Sequence, residues 1–446
     1  MKRYGKVTKS LMAGILVGVT LVGCGSSGTN APKDSQSEKV DVAEGGSSGE
    51  KRTLEFWESS FNTELAYLKE AARIFEEQHP EAEFVISSKG RPEQQIDALN
   101  IAFSSDAGPD MFGYSVSSLI QPLIKGSNIV NLTEAFEENG WNEVIDANLL
   151  DAQRGLFDGS YYAFPVRRVV MGIFYNKPIF EKYNLEVPTT HDEFIKVCET
   201  LQKNGIVPIA NPGKVPAATN RWFDGYLEKN AGSELHDKLC YGQTSLNCPE
   251  VIQSFYDLKD LSKYFQNGHF SAEENEARIM LYSGEAAMTY SANWEAGTLE
   301  QQGQNVEDWG YFRFPSDQEK SRSNRFTYGI YINENSSNKD LAMDFLKICA
   351  SLEPHKVAFE QEKAVDVIRN DVIDPVQLDS LRALLAEDAE NPEGSYMATN
   401  EMCFPPKLTD TLYEALDKVL LEEITPEEGA QMLDATAEEI GFYVNK

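Results

Sequence analysis

The chain has 446 residues, 41% of them hydrophobic, with 71 Asp and Glu against 40 Lys and Arg for a formal charge of −31. So acidic a surface is repelled by nucleic acid and by anionic lipid headgroups, which argues against DNA, RNA or direct headgroup binding. The length exceeds what one hydrophobic core usually serves, so two lobes are expected.

Lys2, Arg3, Lys6 and Lys9 precede an apolar run over residues 11–22, too short to span a bilayer as a stable helix, and together they read as an export signal. Leu21-Val22-Gly23-Cys24, with Ser, Gly and Thr just after, resembles the bacterial lipobox, in which the Cys is lipidated and becomes the first residue. The expectation is a signal over 1–23, a lipid on Cys24 and a flexible tether over 24–52. More than one acyl chain would anchor stably, since each buried CH2 contributes about 0.8 kcal/mol. Without the four signal cations the formal charge becomes −35. The tether is Ser, Gly, Lys, Asp and Glu with almost no large apolar side chains, too few to offset ordering entropy. Its Gly45-Gly46-Ser47-Ser48-Gly49 matches a G-x-S-x-G nucleophile pattern, but no strand precedes it and no apolar helix follows, so it is read as composition.

From Thr53 the chain alternates. Leu54, Phe56 and Trp57 predict a strand; Leu65, Leu68, Ala72 and Phe75 share a helical face until His79-Pro80. Phe84 to Ile86 predict the next strand, Pro92 opens a helix carrying Ile96, Leu99 and Phe103, and Gly108-Pro109 ends it before a strand from Asp110 to Gly113. This is an α/β unit with a mostly parallel sheet, whose ligand crevice lies beyond the strand C-termini. Thr190-His191-Asp192-Glu193 is a capping box, Asn338 is placed to cap the helix of Phe345 and Cys349, and the last hundred residues read as mainly helical. Cys198 and Cys349 lie on apolar helical stripes as core thiols, while export permits a disulfide between Cys240 and Cys248. No CxxC or CxxxC pair occurs and the His residues are scattered, so no metal or other cofactor is expected.

Segments along nearly the whole chain resemble, in order and spacing, the extracellular solute-binding proteins of ABC importers, in the sugar-binding lipoprotein group related to maltose-binding proteins. They are Leu54-Glu55-Phe56-Trp57, Ala107-Gly108-Pro109-Asp110, Tyr162-Ala163-Phe164-Pro165, Phe174-Tyr175-Asn176-Lys177, Pro188-Thr189-Thr190-His191-Asp192-Glu193-Phe194, Gly284-Glu285-Ala286-Ala287-Met288 leading to Asn293-Trp294, Tyr311-Phe312-Arg313-Phe314-Pro315, and Asn338 through Leu346. The resemblance implies a two-lobe α/β clamshell with a helical C-terminal region: lobe one over 53–165 and 312–350, lobe two over 166–311 and 351–446, with crossover strands near Pro165 and Phe312. It implies a non-enzymatic monomer on the outer face of the bacterial membrane, delivering a mono- or oligosaccharide to ABC permease subunits. Two departures stand out: His191 where the family has Trp, and the paired cations of Val166-Arg167-Arg168.

Saccharides expose flat C–H faces between rings of hydroxyls, so a site needs aromatic platforms beside hydrogen-bonding side chains. Asn293 and Trp294, after a strand from Met288 to Tyr290, stand where the family stacks an aromatic on sugar. Trp222 and Asp224 read as part of a polar loop, divided between site and structure. Trp57 reads as a buried anchor with Glu58 and Ser59 facing the cleft behind it, Tyr114 and Ser115 occupy the matching crevice position, and Tyr328 is a further wall. Asp110 reads as a structural turn carboxylate. Alternation on the crossover strand turns one of Arg167 and Arg168 to the cleft, with Arg167 the choice. Two other readings stay open: a surface glycoside hydrolase, which needs two carboxylates across the cleft, and a receptor of the same fold for an anionic or peptide solute.

Overall fold

The structure, a computed structural model, describes residues 51–60, 65–105, 107–145, 149–150, 153, 156–157, 159–316, 322–362, 368–369, 372, 378–390, 395–397 and 399–444. The signal, Cys24, the tether up to residue 50 and its Gly45–Gly49 pattern lie outside the described residues.

The buried alternation of Leu54, Phe56 and Glu58 forms β1 (Arg52–Glu58), followed by α1 (Ala66–Gln78), β2 (Ala82–Ser88), α2 (Pro92–Ser104) and β3 (Met111–Ser115). β1 pairs in parallel with both β2 and β3, as right-handed strand–helix–strand units require. The third strand starts and ends later than its sequence predicts, because Asp110 is spent outside it. Its carboxylate accepts from Glu55 N at 2.8 Å, Ser336 Oγ at 2.5 Å and Asn338 Nδ2 at 3.2 Å.

β4 (Phe164–Asn176) is long enough to serve two sheets. Its first half pairs antiparallel with β8 (Ser323–Ile332), which also pairs with β3; its second half pairs antiparallel with β6 (Ala286–Ala292) and β7 (Trp309–Phe312). β5 (Val207–Ile209) joins β6 in parallel, and β9 (Ser395–Met397) joins β8. Two helix-covered sheets joined through β4 make a two-lobe α/β fold. The register of β4 against β8 shifts between Pro165 and Arg167, a bulge that re-aims the side chains following it.

Between the strands run α3 (Lys177–Lys182), capped by Asn176 accepting from Ile179 N, α4 (His191–Lys203), with the Thr190–Glu193 capping box formed, α5 (Pro216–Cys240), α6 (Pro249–Ser262), α7 (Glu274–Tyr282) and α8 (Trp294–Gln301). α5 breaks at Gly232, whose φ of 67° suits a residue without Cβ. The C-terminal part is helical: α9 (Lys339–Ala350), α10 (Leu352–Glu362), α11 (Ser380–Glu390), α12 (Pro406–Leu420) and α13 (Pro426–Glu439). Asn338 stands at the start of α9 but does not cap it. Its Oδ1 accepts from Arg52 and its Nδ2 donates to Thr53 O, so it ties α9 to β1 instead.

One core lies on the first sheet, where Phe84 stacks on Phe345 at 4.3 Å beside Phe56 and Phe75. Another lies on the second, around Trp222; each fully buried large apolar side chain contributes about 1.5–3 kcal/mol. Cys198 is buried in the second core and Cys349 in the first, as expected, but Cys240 and Cys248 are not joined by a disulfide. Cys240 turns inward, its Sγ 3.7 Å from His236 Nδ1, rather than across the turn to Cys248.

Candidate functional site

Residues directly opposite each other in a ladder point to the same face of the sheet. Ser115 on β3 pairs with Tyr328 on β8, and Tyr328 pairs with Arg167 on β4. These three side chains therefore form a row across three strands, and all three residues are half-buried.

At one end stands Glu58, buried at the C-terminus of β1, whose Oε1 accepts from Ser59 N at 2.6 Å and from the Tyr328 hydroxyl. Gly113 makes that meeting possible. A Cβ there would overlap Glu58 Oε2 and lie 2.7 Å from Tyr328 Oη. Ser59 is 1% exposed and its Oγ has no hydrogen-bond partner, a buried hydroxyl of the kind that a ligand or a water satisfies. Gln95, fully buried, donates from Nε2 to Gly113 O at 2.8 Å and leaves Oε1 without a partner.

The other end belongs to the second sheet. The half-buried Trp294 opens α8, its ring 6.4 Å from that of Phe326 and 6.0 Å from the Arg167 guanidinium carbon. Arg221 of α5 approaches the same indole at 5.7 Å. The row thus runs from Glu58 and Ser59 through Tyr328 and Arg167 to Trp294 and Arg221, from one sheet's elements to the other's. Chemically it offers one aromatic platform, hydroxyls, one carboxylate and two guanidinium forks, a set suited to holding a polar ligand with flat apolar faces. Strand alternation also places Arg168: it is 3% exposed and donates from Nη1 to Ala389 O at 3.0 Å, away from Arg167.

Four residues singled out in the sequence stand elsewhere. Trp222 is in helix α5, not in a polar loop, and is 1% exposed among Phe194, Phe265, Tyr290 and Phe314, with the Tyr290 ring 5.0 Å away. Asp224, one turn of helix away from Asn220, is equally buried. It accepts from Thr399 Oγ1 at 2.5 Å, Thr399 N at 3.2 Å, Asn220 Nδ2 at 3.1 Å and Asn324 Nδ2 at 3.3 Å. Burial raises its pKa to about 6 against the opposing pull of the Thr399 hydroxyl and of His236. Asn293 spends its side chain on β4, accepting from Val170 N at 3.2 Å and donating to Arg168 O at 2.9 Å, so it positions Trp294 and stands outside the row. Tyr114 is 5% exposed on the opposite face of β3 from Ser115, its hydroxyl on Pro92 O at 3.3 Å. Trp57 is half-buried, donating to Glu55 Oε1 at 2.7 Å under the Lys89 ammonium at 3.7 Å.

Arg221 was not legible in the sequence as part of this constellation. It is 73 positions from Trp294, and no local pattern joins the two. Away from the row, Arg91 at the start of α2 reaches Glu273 at the start of α7 at 3.6 Å, and Lys214 pairs with the same carboxylate. The hydrogen bond from Lys214 holds the Glu273 pKa below the usual carboxylate range. Among the described residues no group of three or more His, Cys, Asp or Glu is arranged to hold a metal ion, and no helix is long and apolar enough to cross a membrane.

The bacterial extracellular solute-binding protein profile matches residues 58–354. Among curated proteins, the chain is 24% identical over 330 residues to an uncharacterized ABC transporter extracellular-binding protein of Pyrococcus horikoshii, covering 71% of this chain and 70% of that one. It is likewise 24% identical over 395 residues to the multiple sugar-binding protein of Streptococcus mutans, covering 84% and 86%. A solved chitin oligosaccharide binding protein superposes with a TM-score of 0.79 at 23% identity, over 87% of this chain and 99% of that one, which shows the shared fold.

Proposed function

The chain belongs to the bacterial extracellular solute-binding protein family, and on that premise we propose that it is the lipid-anchored receptor of an ABC importer, capturing a mono- or oligosaccharide between its lobes. The observation that carries this reading is the row of Glu58, Ser59, Tyr328, Arg167 and Trp294, which sets a half-buried indole among hydrogen-bonding groups where elements of the two sheets meet. Relatives named for sugars and for chitin oligosaccharide support the ligand class.

The lobes comprise 53–165 with 312–350 and 166–311 with 351–446, and they close on the solute by bending at the segments around Pro165 and Phe312. Enclosure removes water from both faces of the ligand, so stacking on Trp294 and hydrogen bonds to the row act in a desolvated site. Arg91 and Glu273, one from each lobe in this division, stand 3.6 Å apart. Cys24 carries the lipid on the outer face of the membrane, and about 28 tether residues reach roughly 3 nm, which keeps the monomeric receptor beside its permease. Glycoside hydrolysis is the weaker reading. It needs two carboxylates flanking the bond, whereas the row holds one, Glu58, already engaged by Ser59 and Tyr328.

Trp294→Ala tests the proposal. Calorimetry with a panel of mono- and oligosaccharides should show affinity lowered by about tenfold or more, near 1.4 kcal/mol, with the melting temperature kept. Unchanged affinity removes Trp294 from the site.

A further inference from the structure

We propose that the saccharide held on Trp294 is an acidic one, a uronate unit whose carboxylate is taken by the Arg221 guanidinium with Arg167 beside it. This rests on the reading of the row as the sugar site and adds the ligand's charge to it.

The two guanidinium carbons lie 5.7 and 6.0 Å from one indole ring, from a helix and a strand that are unrelated in sequence. Arg221 is only lightly engaged by protein. Its Nη1 donates to Tyr290 O at 3.4 Å, its Nε is buried with no partner, and no carboxylate among the described residues is in ion-pair contact with it. The two acids that line the same hollow are in contact with Arg278, not with Arg221. Arg278 holds Glu274 at 2.8 Å and Glu295 at 3.5 Å, and Glu295 also accepts from Tyr282 at 2.5 Å and Ser291 at 3.1 Å.

A half-buried guanidinium whose Nε is buried without a partner leaves a donor unsatisfied, and a carboxylate on the ligand can accept from it. Guanidinium is also the group whose planar fork matches a carboxylate while its face rests on an aromatic ring. A uronate fits both demands at once, because its carboxylate projects from the ring edge while the C–H face remains free to lie on Trp294. The chain's net charge of −31 repels anions at long range, so an acidic sugar depends on a short-range guanidinium contact of the kind Arg221 offers to be held at all.

The experiment is calorimetry on the full chain with α-1,4-trigalacturonate and its carboxyl-reduced counterpart α-1,4-galactotriose, and with glucuronate and glucose, at about 0.05 and 0.5 M salt. The expected result is a preference of about tenfold or more for the acid over its neutral counterpart at low salt, shrinking at high salt. Arg221→Gln should bring the acid-to-neutral ratio toward one, and Arg221→Lys should restore part of it, with melting temperatures confirming folded variants. Neutral sugars bound as well as or better than the acids overturns the uronate inference and leaves the sugar receptor standing. A protein that binds none of the four and no other saccharide, while binding a non-sugar solute, overturns the sugar reading itself.

Discussion

Asp224 gives the sharpest test of how the second core is held. The carboxylate is 1% exposed and accepts four hydrogen bonds, yet burial lifts its pKa from an ordinary 3.8 to about 6. A folded-state pKa above the unfolded one means the native state binds the proton more tightly, so this group's stabilisation is full below pH 3.8 and is lost as pH rises through 6. At about 1.4 kcal/mol per unit, the loss between about pH 4 and pH 7.5 is about 2 to 3 kcal/mol. Asp224→Asn isolates the effect. The amide oxygen can keep the three donors on Oδ2, and the amide nitrogen can face the Thr399 hydroxyl, which rotates to accept. Urea unfolding of both proteins across that range should show the wild type losing about 2 to 3 kcal/mol relative to the variant as pH rises. Asp224→Ala, which strands Asn220, Asn324 and Thr399 N, should cost at least about 3 kcal/mol throughout. A wild-type-minus-Asn difference that stays level with pH would refute a raised pKa at this site.

Trp222→Ala should lower stability by about 3 to 5 kcal/mol in thermal unfolding, because the indole is enclosed by Phe194, Phe265, Tyr290 and Phe314; a small loss would mean the ring is not core. Gly113→Ala should part Glu58 from Tyr328, since the new methyl overlaps the carboxylate, and weaken saccharide binding by about tenfold in calorimetry. Normal affinity with the Tyr328–Glu58 contact displaced would take that pair out of the site.

Much of the fold was legible because local chemistry sufficed. The period-two run of Leu54 and Phe56, the helical face ending at His79-Pro80, the Pro92 helix start and the Thr190–Glu193 capping box are each decided within a few residues, and each forms. The row was partly legible for the same reason: alternation on β4 separates Arg167 from Arg168 whatever the surroundings. Asn220-Arg221-Trp222-Phe223-Asp224 misled because its polar residues look solvated. In the folded chain Asp224 finds Thr399, 175 positions away, so a segment that reads as a loop is instead a buried helix. Asn293 and Asn338 misled in a related way, since each has the side chain for a local role and uses it on a distant strand.

What the sequence by itself determined, then, are the first α/β unit and the capped helix starts, because hydrophobic period, caps and breakers act over short spans, while two lobes were expected from chain length and the family resemblance. What only the tertiary structure decided is which polar side chains stay available to a ligand. Availability depends on whether a partner waits elsewhere in the chain: Asp224, Asn293 and Tyr114 meet theirs, while Arg221, with no sequence mark of its own, is carried to Trp294 with a buried Nε still unpartnered.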